Sequence, residues 1–125
     1  MNNVSSANDE RVLHTLNALQ EIITSYETYN LKQLFEEELE MLVIKQIQYE
    51  LHKVIYITDK ELAIRIINEF YQFIENNFPT WRKNKYYQSL YQEMNFMNKY
   101  RVWIYEQPYR LKIYYQIRQL KRVLK

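Results

Sequence analysis

Val12, Leu16, Leu19, Ile23 and Tyr26 recur at spacings of 4, 3, 4 and 3, which at 3.6 residues per turn places them in one apolar stripe. Leu13 and Ile22 fall on its margins. A first helix is therefore predicted over residues 8–29. Ser5, Ser6 or Asn8 can cap its start, Asp9 and Glu10 suit the positive end of its dipole, and Asn30 can end it. A second stripe, Phe35, Leu39, Val43, Ile47, Leu51 and Val54, predicts a helix over residues 31–57, long enough to require packing in a hairpin. Thr58-Asp59-Lys60-Glu61 then has the form of a capping box. In it Thr58 accepts from the backbone N–H of Glu61 and the Glu61 carboxylate accepts from that of Thr58, with Ile57 and Leu62 as the hydrophobic staple. A third helix is expected from Asp59, presenting Leu62, Ile66, Phe70 and Phe73 with Ala63, Ile67 and Ile74 alongside. It must end by Phe78, because Pro79 disfavours helical geometry in the residue before it.

Beyond Pro79 the pattern is less regular, and one or two short helices are expected over residues 87–107. Pro108 interrupts the chain, after which Ile113, Ile117, Leu120 and Leu124 repeat at 4, 3 and 4 on a last helix. That helix bears Arg110, Lys112, Arg118, Lys121, Arg122 and Lys125. The only strand-like run is Val54-Ile55-Tyr56-Ile57. The expected fold is all-α: an antiparallel bundle of four to six helices with a basic amphipathic C-terminal helix, in one domain spanning residues 1–125.

Composition narrows the chemistry. The 125 residues include no glycine and no cysteine, where average usage predicts roughly nine glycines. Phosphate-cradling loops, dinucleotide fingerprints and calcium loops need glycine's freedom at positive φ or its lack of a Cβ. Thiolate nucleophiles and cysteine metal sites are likewise ruled out. No apolar run approaches the ~18 residues needed to span a bilayer, and the N-terminal residues lack a basic and apolar leader, so a cytoplasmic protein is expected.

The net charge of +2 hides a division. Residues 1–81 carry 6 Lys/Arg against 13 Asp/Glu, a net of −7, and residues 82–125 carry 11 against 2, a net of +9. The basic part also holds eight of the thirteen tyrosines. Cations interleaved with amphipathic rings suit a phosphate-rich surface, whether lipid headgroups or nucleic acid. Alternatively the two parts attract each other within one fold.

Candidate catalytic groups are sparse. Asp9 and Asp59 are the only aspartates and stand alone, so no Asp-x-Asp is present to hold a divalent cation. Glu36 and Glu40 are four apart on one face, but with Glu37 and Glu38 they read more simply as a solvated, dipole-matched helix start. Glu61 and Arg65 read as a surface pair at the same spacing. His14 and His52 lie off the apolar rows and are expected to face solvent or a neighbouring helix. Trp81 and Trp103 are expected in the core. No catalytic residue, metal ligand or cofactor site is expected.

The segment Glu37-Glu38-Leu39-Glu40-Met41-Leu42-Val43-Ile44-Lys45, followed some thirty residues later by Phe73-Ile74-Glu75-Asn76-Asn77-Phe78-Pro79-Thr80-Trp81-Arg82-Lys83-Asn84-Lys85-Tyr86, resembles the C-terminal helical region of bacterial family 2 glycosyltransferases of capsule and exopolysaccharide synthesis. The likeness covers about residues 3–86 and is most specific over residues 77–86, with Phe78, Pro79, Trp81, Arg82, Lys83 and Asn84 as its motif positions. Two positions depart from it, Thr80 where asparagine is usual and Gln46 where a basic residue or histidine is usual. The family's α/β catalytic domain, with its Asp-rich metal site, has no counterpart here. The resemblance implies a non-catalytic accessory module of a transferase that moves a sugar from a nucleotide donor to a growing glycan. Its expected partners are the glycosyltransferase catalytic domain, in cis or trans, and an anionic inner membrane surface touched by Arg110, Lys112, Arg118, Lys121, Arg122 and Lys125. Nucleic acid is the less favoured partner, and a small regulatory protein with a protein partner is the alternative.

Overall fold

The computed structural model describes residues 3–124, and their side chains from residue 11 onward. Six α-helices and one 3₁₀ turn account for most of it: α1 (Asn3–Thr28), α2 (Glu36–Val54), α3 (Lys60–Asn77), the turn Trp81–Lys83, α4 (Lys85–Glu93), α5 (Phe96–Tyr105) and α6 (Pro108–Leu124). The described residues contain no strand, and Ile55, in the strand-like run, keeps helical dihedrals. The chain is an all-helical bundle.

The long helices follow their apolar stripes. Val12, Leu19 and Ile23 of α1 are buried, with Leu16 and Tyr26 packed at the margin. The expected caps Ser5, Ser6 and Asn8 fall inside α1, which is already helical at Asn3. At its other end Asn30 takes φ = 57°. The Leu31 N–H donates to the Tyr26 carbonyl at 2.8 Å and the Asn30 N–H to that of Glu27 at 3.1 Å. This is a Schellman stop, built on asparagine because asparagine tolerates the left-handed region better than most residues.

That stop also corrects the start of α2. Residues 31–35 form a turn, and Phe35, expected inside, is 44% exposed at the N-cap position. From Leu39 to Val54 the predicted stripe is buried as read, with Met41 and Ile44 added to its apolar residues.

The start of α3 corrects the capping box. Asp59, not Thr58, is the N-cap, and its Oδ1 accepts from the Leu62 N–H at 3.1 Å. The box fails by one residue: with Asp59 at the cap, Glu61 stands one position too early to reach back. Helix α3 lies at the centre, against α1, α2 and α6. Accordingly it buries a wide face, Leu62, Ala63, Ile66, Ile67, Phe70, Tyr71 and Ile74, while Phe73 is only partly covered. It ends at Asn77, ahead of Pro79 as required.

The irregular stretch resolves into α4 and α5, with α4 against α2 and α5 against α6. Pro108 is the first residue of α6, where its fixed φ suits a helix and its missing N–H costs nothing.

Candidate functional site

Two regions gather the residues singled out by sequence. The first is the joint between α3 and α4. Phe78 is buried at 2% exposure and Trp81 likewise. The Trp81 indole N–H donates to Glu75 Oε1 at 3.1 Å, and the Arg82 guanidinium donates to the same oxygen at 2.6 Å. Two further guanidinium nitrogens reach the Glu106 carbonyl, at 3.2 and 2.7 Å, and the guanidinium Cζ lies 4.4 Å from the Trp81 ring centroid. Arg82 therefore ties the end of α3 to the α5–α6 corner.

Asn84 is the second tie, 3% exposed and fully engaged. Its Oδ1 accepts from the N–H groups of Tyr86 and Tyr87 at 2.9 and 3.1 Å, capping α4. Its amide donates to the Glu37 carbonyl and to Glu40 Oε1, both at 2.9 Å. Glu40 is thus a correction: it is 6% exposed rather than solvated. Burial, reinforced by Glu36 and Glu37, raises its carboxyl above the ordinary 4.5 against the opposing bond from Asn84. Glu36, Glu37 and Glu38 remain exposed as expected. The Tyr86 hydroxyl donates to Glu38 at 2.9 Å, and Lys85 faces Glu37 at 3.9 Å. Pro79 and Lys83 are exposed, Lys83 on the rim of an open hollow of about 460 Å³ shared with Glu36 and Glu37. In this region the acidic and basic parts of the chain do meet.

The second region is the α5–α6 face, where they do not. Helix α6 turns Leu111 and Tyr115 inward, both fully buried. The Tyr115 hydroxyl donates to the Ile57 carbonyl at 2.6 Å and the Gln119 amide to the same oxygen at 3.0 Å, satisfying the chain just beyond α2. At 100° per residue the predicted apolar row lies about half a turn away, and it is exposed: Ile113 53%, Ile117 48%, Leu120 57% and Leu124 76%.

The six basic residues diverge. Lys121 and Arg122 are exposed, and Lys112 and Arg118 are half-buried. Arg110 is committed inside the protein, donating to the Trp103 carbonyl at 2.9 Å and facing Glu106 at 3.9 Å. Lys125 lies outside the described residues. Trp103, expected in the core, is 47% exposed, because Val102 and Ile104 on either side occupy the buried positions. Its ring is covered instead by Arg110 at 4.1 Å and stacked by Tyr100 at 6.4 Å.

Sequence reading missed a cluster between these helices. His52 and Tyr56, Arg101 and Tyr105, and Tyr114 and Arg118 line one cleft at the end of α2. The signal was present: each is an i,i+4 pair, so each puts both members on one face of its segment. His52 is exposed, as expected, and its Nδ1 lies 2.7 Å from the Tyr105 hydroxyl. Among the described residues no three of the histidines, aspartates and glutamates gather to hold a metal ion, and no helix is long and apolar enough to cross a membrane. No protein family, curated protein or solved structure matches the chain.

Proposed function

We propose that the chain is a non-catalytic helical accessory module of a glycosyltransferase of capsular or exopolysaccharide synthesis, and that its α5–α6 face rests on the anionic inner surface of the membrane. The observation that carries the membrane reading is the outward apolar row of α6. Ile113, Ile117, Leu120 and Leu124 face solvent with Lys112 and Lys121 on the flanks. A row of that kind with cations beside it is the arrangement by which a helix lies in a lipid interface. The exposed Phe96, Met97 and Val123 add apolar area on the same two helices.

Each cation near an anionic leaflet contributes about 1 kcal/mol, and the leucines contribute by insertion. The transferase reading is supported by the likeness at residues 77–86. There Arg82 and Asn84 act as structural ties, so the motif supplies the shape of a docking module rather than reactive groups. The open groove between α2 and α4, lined by Met41, Leu42, Tyr86 and Leu90, is the face offered to the catalytic domain.

Flotation of the full chain with phosphatidylcholine vesicles, with and without phosphatidylglycerol, tests the membrane reading. Binding only to the anionic vesicles, lost in the Leu120→Ser/Leu124→Ser variant, is expected. Equal binding to both vesicles, or none, overturns it. The transferase reading predicts nucleotide-sugar-dependent glycosyl transfer in material co-purified with the chain from its native cells, and its absence there counts against that half.

A further inference from the structure

The end of α2 and the consecutive helices α5 and α6 converge on the cleft formed by His52, Tyr56, Arg101, Tyr105, Tyr114 and Arg118. Its floor is apolar, from Ile55 and Ile104, both about 4% exposed. Its volume is about 130 Å³, that of roughly four liquid waters at about 30 Å³ each. Sites that enclose drug-sized ligands run to about 300–1,000 Å³, so the cleft suits a small group and not a nucleotide.

Its lining is cationic without compensation. No aspartate or glutamate among the described residues lines it. Among the described residues, neither Arg101 nor Arg118 forms an ion pair. Arg122 stands at the margin, 5.7 Å from the Tyr56 ring centroid. This contrasts with Arg82 and Arg110, each spent on a carboxylate and a carbonyl of the fold.

The remaining groups are donors. Burial, and then the neighbouring Tyr114, push the Tyr105 hydroxyl up to about 12 against the opposing pull of Arg101 and Arg118, so it keeps its proton. Its 2.7 Å bond with His52 leaves a donor in either tautomer. If His52 Nδ1 accepts, Nε2 carries a free N–H; if Nδ1 donates, the Tyr105 O–H is free. Two planar guanidinium forks, an imidazole and tyrosine hydroxyls around an uncompensated positive cleft match a tetrahedral oxyanion.

We propose that this cleft binds a single phosphate group, presented as inorganic phosphate or as a phosphomonoester. Two sources supply that chemistry: a soluble phosphate compound and a lipid with a terminal phosphate. The cleft opens beside α6, so the second source would add selectivity to the membrane contact proposed above, but the site itself stands without it.

The test is a ¹H–¹⁵N titration of the full chain with sodium phosphate, with sodium chloride at matched ionic strength as the reference. Saturable shifts centred on the Arg101 and Arg118 Nε–H signals and the Tyr105 amide are expected. Arg101→Gln and Arg118→Gln should each weaken binding about tenfold, the loss of one charge-assisted pair. Arg118→Lys, which keeps the charge but not the fork, gives a smaller loss, and Lys32→Gln, at the α1–α2 turn, gives none. Shifts reproduced by chloride, or untouched by both glutamine variants, overturn the proposal.

A vesicle arm separates the sources. Tighter binding to phosphatidic acid than to phosphatidylglycerol at equal surface charge, abolished by Arg118→Gln, identifies a lipid phosphate. Phosphate shifts without that preference identify a soluble one. Phosphate shifts that persist while no anionic vesicle is bound would remove the membrane reading and leave the cleft in place.

Discussion

Asn84 concentrates in one side chain what the α3–α4 joint requires. It caps α4 with its oxygen and holds the start of α2 with its amide, and it does so at 3% exposure. Asn84→Ala leaves two N–H groups uncapped and strips the buried Glu40 of its donor. The expected cost is about 2–4 kcal/mol by urea unfolding, and a loss under about 1 kcal/mol would mean that water replaces the amide. Glu40 gives a separate, pH-resolved expectation. Its carboxyl is raised above 4.5 by burial, so the native state holds that proton more tightly than the unfolded chain. The native advantage is full below the unfolded pKa and is lost as pH rises through the folded one. Glu40→Gln has no such proton to lose. It should therefore gain stability over wild type from about pH 4 upward and converge with it in acid. Parallel curves would show that the bond from Asn84 cancels the effect of burial, and a wild type that gains on the variant as pH rises would show that the bond outweighs it. An asparagine ahead of a helix is a recognisable cap in sequence, but the burial of Glu40 was not legible, because its partner lies 44 residues away.

At the scale of the element, local rules placed the helices and tertiary contacts adjusted their ends. The stripes of α1, α2 and α3 were readable because three helices share one apolar core and periodicity reports the face turned to it. The start of α3 was misread by one residue because Thr58 and Asp59 both have cap chemistry. Asp59→Ala should lower stability by about 1 kcal/mol and Thr58→Ala by less than about 0.5 kcal/mol in thermal unfolding; the reverse order would restore the capping box. In α6, periodicity pointed to one apolar face and the structure buries another. The more regular row, Ile113, Ile117, Leu120 and Leu124, faces out, whereas Leu111 and Tyr115 face in. Tyr115 wins its place by filling a buried position and satisfying the Ile57 carbonyl at once. Tyr115→Phe should accordingly cost about 1 kcal/mol by leaving a buried bond unmade, and Ile117→Ser should cost almost nothing in urea unfolding. A large loss from Ile117→Ser would mean that the outward row is covered in solution.

Across the whole molecule, the charge division read from sequence resolves into two arrangements that salt affects to different degrees. At the α2–α4 end, Glu37, Glu38 and Glu75 meet Lys85, Tyr86 and Arg82. Those pairs are partly or fully exposed, and pairs of that kind contribute about 0–1 kcal/mol each. The fold is held instead by its apolar core. On the α5–α6 face, Arg101, Lys121 and Arg122 are exposed without a carboxylate partner among the described residues, and their attraction to an anionic surface is screened over about 10 Å at 0.1 M salt. Raising salt from about 0.05 M to about 0.5 M should therefore release the protein from phosphatidylglycerol vesicles while moving Tm by less than about 4 °C, the equivalent of about 1 kcal/mol in a domain of this size. Flotation and thermal unfolding in the same buffers check the two halves together. Binding that survives the higher salt would assign the attraction to the apolar row alone. A large fall in Tm would mean that the exposed pairs at the α2–α4 end hold the bundle together more than their exposure allows.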